Sequence, residues 1–137
     1  MDQREVVFID ANIFLEVMLN DEKSTSCELF LNKIKKQEIT AATSDFLIYA
    51  SLLQIQYKLK SIKVMQNFLI FVNSLNGLDI IRPSLKEMDD AIRFSEKYTL
   101  DFDDAFIVSC MINNNIKTLI SFDTDFDKVP LIKRQEP

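Results

Sequence analysis

Three stretches of the chain gather acids: Phe8-Ile9-Asp10-Ala11-Asn12, Leu100-Asp101-Phe102-Asp103-Asp104-Ala105, and Ser121-Phe122-Asp123-Thr124-Asp125-Phe126-Asp127. The sequence has no histidine. That removes Ser-His-Asp and Cys-His catalysis, histidine-based zinc sites and histidine general bases. Any chemistry must therefore run on carboxylates, lysines or hydroxyls. Carboxylates crowded together repel one another, and a divalent cation relieves that cost. Hard oxygen donors suit Mg²⁺ or Mn²⁺. An ion held this way polarises a phosphodiester and activates water for in-line attack, alone or as one of a pair.

The elements around these acids decide whether they can meet. Val6-Val7-Phe8-Ile9 is an apolar run stopped by Asp10, and it reads as a buried strand. Ile13, Phe14, Val17 and Met18 form one face of a following helix, and Ser24 or Ser26 is placed to cap the next. Residues 39–43 form a second short strand, after which Ser44 reads as an N-cap with Asp45 in the first helical turn. A further helix spans about residues 62–75. Asn76-Gly77, with the only glycine, reads as its C-terminal stop. Leu78-Asp79-Ile80-Ile81 is a third strand and Ser84 caps a helix to about Tyr98. A helix opens at Asp101 and runs to Asn113, a fourth strand covers residues 117–121, and Leu131-Ile132 reads as an edge strand. Strands alternating with helices predict a parallel sheet flanked by helices.

In such a sheet, ligands bind at the carboxyl ends of the strands. Asp10 ends the first strand and Asp123 follows the fourth, so the two converge if those strands are neighbours, about 4.8 Å apart. The helix carrying Asp104 follows another helix, so its place at that rim is less directly implied. Asp101 reads equally as a helix N-cap, and Asp103 as a first-turn acid complementing the helix dipole. Asp123, Asp125 and Asp127 are spaced as in an EF-hand loop, but Lys128 stands where glycine is needed and Arg134 where glutamate is needed. Lysines at 33, 35, 36, 58, 60 and 63 read as solvated helix ends or phosphate-backbone contacts.

The chain has 137 residues, enough for one core, and is read as one domain over 1–137. A net charge of −5 argues against gripping nucleic acid by bulk charge. It is compatible with a nuclease whose acids hold metal. No apolar run reaches the ~18 residues of a membrane span, and Met1-Asp2-Gln3-Arg4-Glu5 has no signal-peptide pattern. A cytoplasmic protein is expected, with Cys27 and Cys110 as buried thiols.

In order, spacing and total length, the three acidic stretches resemble those of the PIN-domain nucleases. The resemblance spans nearly the whole chain, and small single-domain members of this size are mostly VapC-type toxins of prokaryotic toxin–antitoxin pairs and related archaeal proteins. It implies a three-layer α/β/α sandwich with a mainly parallel sheet, and a Mg²⁺- or Mn²⁺-dependent endoribonuclease. Asp10, Asp104 and Asp123 would be the metal ligands and catalytic acids. Asn12, Ser121, Asp101 and Asp127 would support them, with Asp125 an alternative to Asp127 as an outer acid. The implied partners are an RNA substrate, a small antitoxin and a second copy of the chain. One departure stands out. The family pattern carries a glutamate in the helix after the second strand, where this chain has Ala50 or Ser51, and no acid follows Asp45 within that helix. A catalytically weak PIN-fold module that binds RNA or protein is therefore the alternative reading.

Overall fold

The structure is a computed structural model that describes residues 5–137; the segment Met1–Arg4, read above for its lack of a signal pattern, lies outside the described residues. The strands are β1 (Val6–Ile9), β2 (Thr40–Ser44), β3 (Leu78–Ile81), β4 (Thr118–Ile120) and β5 (Lys133–Gln135). The helices are α1 (Ala11–Met18), α2 (Ser24–Lys35), α3 (Asp45–Leu59), α4 (Ile62–Ser74), α5 (Leu85–Tyr98) and α6 (Phe102–Asn113), with a 3₁₀ turn over Thr124–Lys128. All pairings are parallel, in the order β3-β2-β1-β4-β5. The outer strand begins at Lys133, two residues beyond the predicted Leu131-Ile132, because Lys133 N–H bonds the carbonyl of Lys117 and so sets the β4–β5 register.

Side chains alternate across the sheet and build a core on each face. Phe8, Ala42 and Leu119 join Phe106, Val108 and Met111 beneath α5 and α6. Ile9, Ala41 and Ile120 join Phe14, Leu31, Ile34 and Phe68 on the side of α1 to α4. The sheet thus lies between two helical layers, as expected for an α/β/α sandwich. No helix among the described residues is long and apolar enough to cross a membrane.

Two local readings change. Gly77 does not end α4 through a left-handed conformation, since no glycine has positive φ. It is small because backbones crowd it: a Cβ there would stand 2.6 Å from the Ile39 carbonyl and 2.8 Å from that of Ile34. Helix ends that turn left-handed use other residues, Lys60 after α3 and Thr99 after α5. Neither Ser24 nor Ser26 caps α2, whose N-cap is Lys23 without a side-chain cap bond. Ser84 caps α5 as expected, in a capping box with Glu87.

Candidate metal centre

β1 and β4 are neighbours, Ile9 pairing with Ile120, and Asp10 N–H bonds the Ile120 carbonyl at 3.1 Å. That brings the two acidic strand ends to one rim. Asp10 is nearly enclosed, at 8% exposure, and both of its carboxylate oxygens accept hydrogen bonds. Oδ1 accepts from Ala11 N–H at 2.7 Å, and Oδ2 accepts from the Ser121 hydroxyl at 2.7 Å and from the Asn12 amide at 3.4 Å. Ser121 Oγ in turn accepts from Asp123 N–H at 3.0 Å. Asn12 and Ser121 therefore do sit around Asp10, and Ser121 ties the acid of β1 to the acid after β4.

Asp104 reaches the same rim by a route the sequence left indirect. Ser109 Oγ bonds the Glu87 carbonyl and Asn113 lies 3.4 Å from Asp90, so the end of α6 lies beside the start of α5. The two helices run antiparallel, and α6, the leg that leads back to the start of β4, begins at the carboxyl ends of the strands. One carboxylate oxygen each from Asp104, Asp123 and Asp125 fall within 4.8 Å of one another. Asp125 is drawn in because Asp123 caps the 3₁₀ turn, accepting from Asp125 N–H at 2.9 Å. Asp10 is not one of these three, but its charge acts on Asp104.

Two expected supporting acids are placed differently. Asp127 turns to Arg134, with contacts of 2.9 and 3.3 Å, while Arg134 also bonds the Ser121 carbonyl at 3.1 Å. It holds the last strand against the turn. Asp101 is the N-cap residue of α6 but forms no side-chain cap bond, and it reaches the site through its charge on Asp104. Asp125 was legible as a bare alternative, since alternate acids in a turn do not reveal which one folds back.

The electrostatics follow from crowding without a counter-charge. Burial, then the charges of Asp103, Asp123, Asp10 and Asp101, push the Asp104 carboxyl up to about 7. Burial also raises Asp10, opposed by its bonds from Ser121 and Ala11. A hard divalent cation fits such a donor set: three convergent carboxylates, one holding its proton near neutrality for want of positive charge. The helix-borne glutamate has no replacement on α3, where Ser51 is buried and bonds the Leu47 carbonyl at 2.8 Å and Asp45 lies 3.8 Å from Arg82. A cavity of about 490 Å³ lies at the amino ends of the strands, lined by Val6, Thr40, Ala42 and Lys117, away from these acids.

Solved structures share this architecture. VapC20 of Mycobacterium tuberculosis, described as a Sarcin-Ricin loop cleaving toxin, superposes with a TM-score of 0.77 at 13% identity, covering 96% of this chain and 99% of that one. VapBC2 of Rickettsia felis, bound to a DNA fragment from its promoter, gives 0.68 at 20% identity, covering 96% and 98%. A toxin–antitoxin complex from Klebsiella pneumoniae gives 0.69 at 16%, covering 92% and 94%. No curated protein matches the sequence significantly. The PIN domain family, by contrast, matches residues 7–131, nearly the whole chain, and with the parallel sheet and its acidic rim this places the protein in the PIN domain family.

Proposed function

We propose that the protein is a Mg²⁺- or Mn²⁺-dependent endoribonuclease, the toxin of a toxin–antitoxin pair. The observation that carries the reading is the convergence of Asp104, Asp123 and Asp125 at the carboxyl rim of the sheet, with Asp104 pushed up to about 7. These three would hold the cation, with Asp10 the neighbouring acid at the end of β1. When bound there, a divalent cation lowers the pKa of a water and polarises the phosphodiester that the water attacks. Asp104, raised to about 7 by burial and its acidic neighbours, would hold such a cation as the carboxylate. Ser121 keeps Asp10 and the Asp123 backbone in register across β1 and β4. Asn12 fixes the outer side of Asp10.

The structural relatives described as toxins or toxin–antitoxin complexes support the biological role. A protein partner, whether an antitoxin or a second copy, has apolar surface to cover. Tyr49, Leu53 and Tyr57 are exposed at four-residue spacing on α3, and Ile62, Leu69 and Ile70 are exposed on α4. The test is cleavage of single-stranded RNA with and without EDTA, and with Asp10→Asn. Cleavage that needs the metal and fails in the variant supports the reading; metal-independent cleavage, or full activity in Asp10→Asn, sinks it.

The lack of any acid on α3 beyond Asp45 favours one other reading, a catalytically weak module of the same fold that binds RNA or protein. Calorimetric titration with Mn²⁺ separates the two. Submillimolar binding that vanishes in Asp104→Asn marks the enzyme.

A further inference from the structure

Among the described residues, three buried side-chain polar atoms lack a hydrogen-bond partner: Asn12 Oδ1, Ser44 Oγ and Glu87 Oε2. Glu87 spends its other oxygen on the α5 capping box, and the Asn12 amide is already turned to Asp10 and Ser121. Ser44 is the most enclosed, at 0% exposure. It occupies the N-cap of α3, where a serine hydroxyl ordinarily accepts from a first-turn N–H. It makes no such bond.

Its place in the sheet is informative. The β1–β2 register, Phe8 with Ala42, carried two residues further sets Asp10 beside Ser44. Phe8, Ala42 and Leu119 all face α5 and α6. Two residues on, Asp10, Ser44 and Ser121 face the same way. They form one row across the ends of three adjacent strands, on the side from which Asp104 approaches. Ser121 uses its hydroxyl to join Asp10 to Asp123. Ser44 has no corresponding bond. A sealed, unpaired hydroxyl is a standing cost to the fold, and a fold keeps such a group when something else pairs with it.

We propose that the Ser44 hydroxyl is a neutral oxygen donor reserved for a divalent cation at the Asp10 end of the acidic rim, on the α3 side where Ala50 and Ser51 supply no carboxylate. This rests on the reading of the rim as a cation site. An alcohol oxygen is a hard donor of the kind Mg²⁺ and Mn²⁺ accept. Because the oxygen is sealed from bulk solvent, its partner is no larger than an ion or a single water, which excludes a substrate phosphate.

The test uses the full chain in two measurements, the Tm without metal and the calorimetric affinity for Mn²⁺. In Ser44→Ala the metal-free Tm should rise by roughly 2–4 °C, since an unpaired hydroxyl is gone. The Mn²⁺ affinity should fall by about tenfold or more. A capping serine would behave oppositely. A lower Tm with unchanged affinity overturns the proposal, and so does unchanged affinity alone, the signature of a hydroxyl paired with one trapped water. In Ser44→Cys, a thiol at a helix N-terminus should raise the preference for Zn²⁺ over Mn²⁺ relative to the parent protein; an unaltered preference overturns the proposal. If the parent protein itself binds no Mn²⁺, the cation reading of the rim fails and Ser44's role with it. If the parent binds and Ser44→Ala binds equally, only the Ser44 role fails.

Discussion

Replacing Asp104 by asparagine should make the metal-free protein more stable at pH 8 and no more stable at pH 4. The sign follows from proton linkage. In the fold the Asp104 carboxyl titrates at about 7, against 3.8 for an ordinary aspartate. Between those values the folded chain holds a proton that the unfolded chain has released, so stability falls as pH rises. Below 3.8 both states are protonated, and above 7 the loss is complete. The shift spans about three pH units, and at about 1.36 kcal/mol per unit the ceiling is about 4 kcal/mol. The carboxyl is only half-buried and solvent screens part of that cost, which leaves about 2 kcal/mol. For a chain of this size, that is roughly 5–10 °C in Tm. Thermal melts of both proteins in EDTA across pH 4 to 8 are the assay. The Tm gap should open between pH 4 and 7 and then hold. With Mn²⁺ at 100 times its Kd the order should reverse, because the parent alone gains about 2.7 kcal/mol from binding. A gap independent of pH, or an asparagine variant less stable at pH 8, would refute the reasoning.

Four further outcomes follow from particular contacts. Ser121→Ala removes the hydroxyl that bonds Asp10 and receives Asp123 N–H; Mn²⁺ affinity by calorimetry should fall by about tenfold, the usual scale for a partner that orients a ligand. Arg134→Ala frees Asp127 and should leave that affinity within about twofold, since the pair braces the last strand and not the triad; a tenfold loss would put Asp127 back in the site. Gly77→Ala would press a methyl against the carbonyls of Ile39 and Ile34, and urea denaturation should show a loss of about 2 kcal/mol or more. Thr99, a β-branched residue at φ 53°, should gain about 1 kcal/mol as glycine in the same assay, because the left-handed conformation then costs nothing.

The fold was legible because its signals are local. Val6–Ile9 ends on an acid, short β-branched runs alternate with amphipathic helices, and Ser84 with Glu87 three residues later announces a helix. The site was legible in part. Asp10 and Asp123 lie at strand ends, where parallel sheets gather their ligands, so only the adjacency of β1 and β4 was missing. The rest depends on contacts far apart in sequence. Asp127 and Asp125 look alike in the chain, and only Arg134, arriving on the last strand, takes one of them away. Gly77 looked like a helix stop, because the approach of residues 34 and 39 leaves no local mark. Ser44 looked like an ordinary cap, and only its buried, unpaired oxygen distinguishes it.

The central claim is that the acids at the carboxyl rim of the sheet hold a divalent cation. Crystals grown or soaked in Mn²⁺ and measured for anomalous scattering address it most directly. The account predicts a strong peak among the carboxylates of Asp104, Asp123 and Asp125 that disappears in Asp104→Asn. A map without a peak there at saturating Mn²⁺, or with its only strong peak elsewhere, would contradict it.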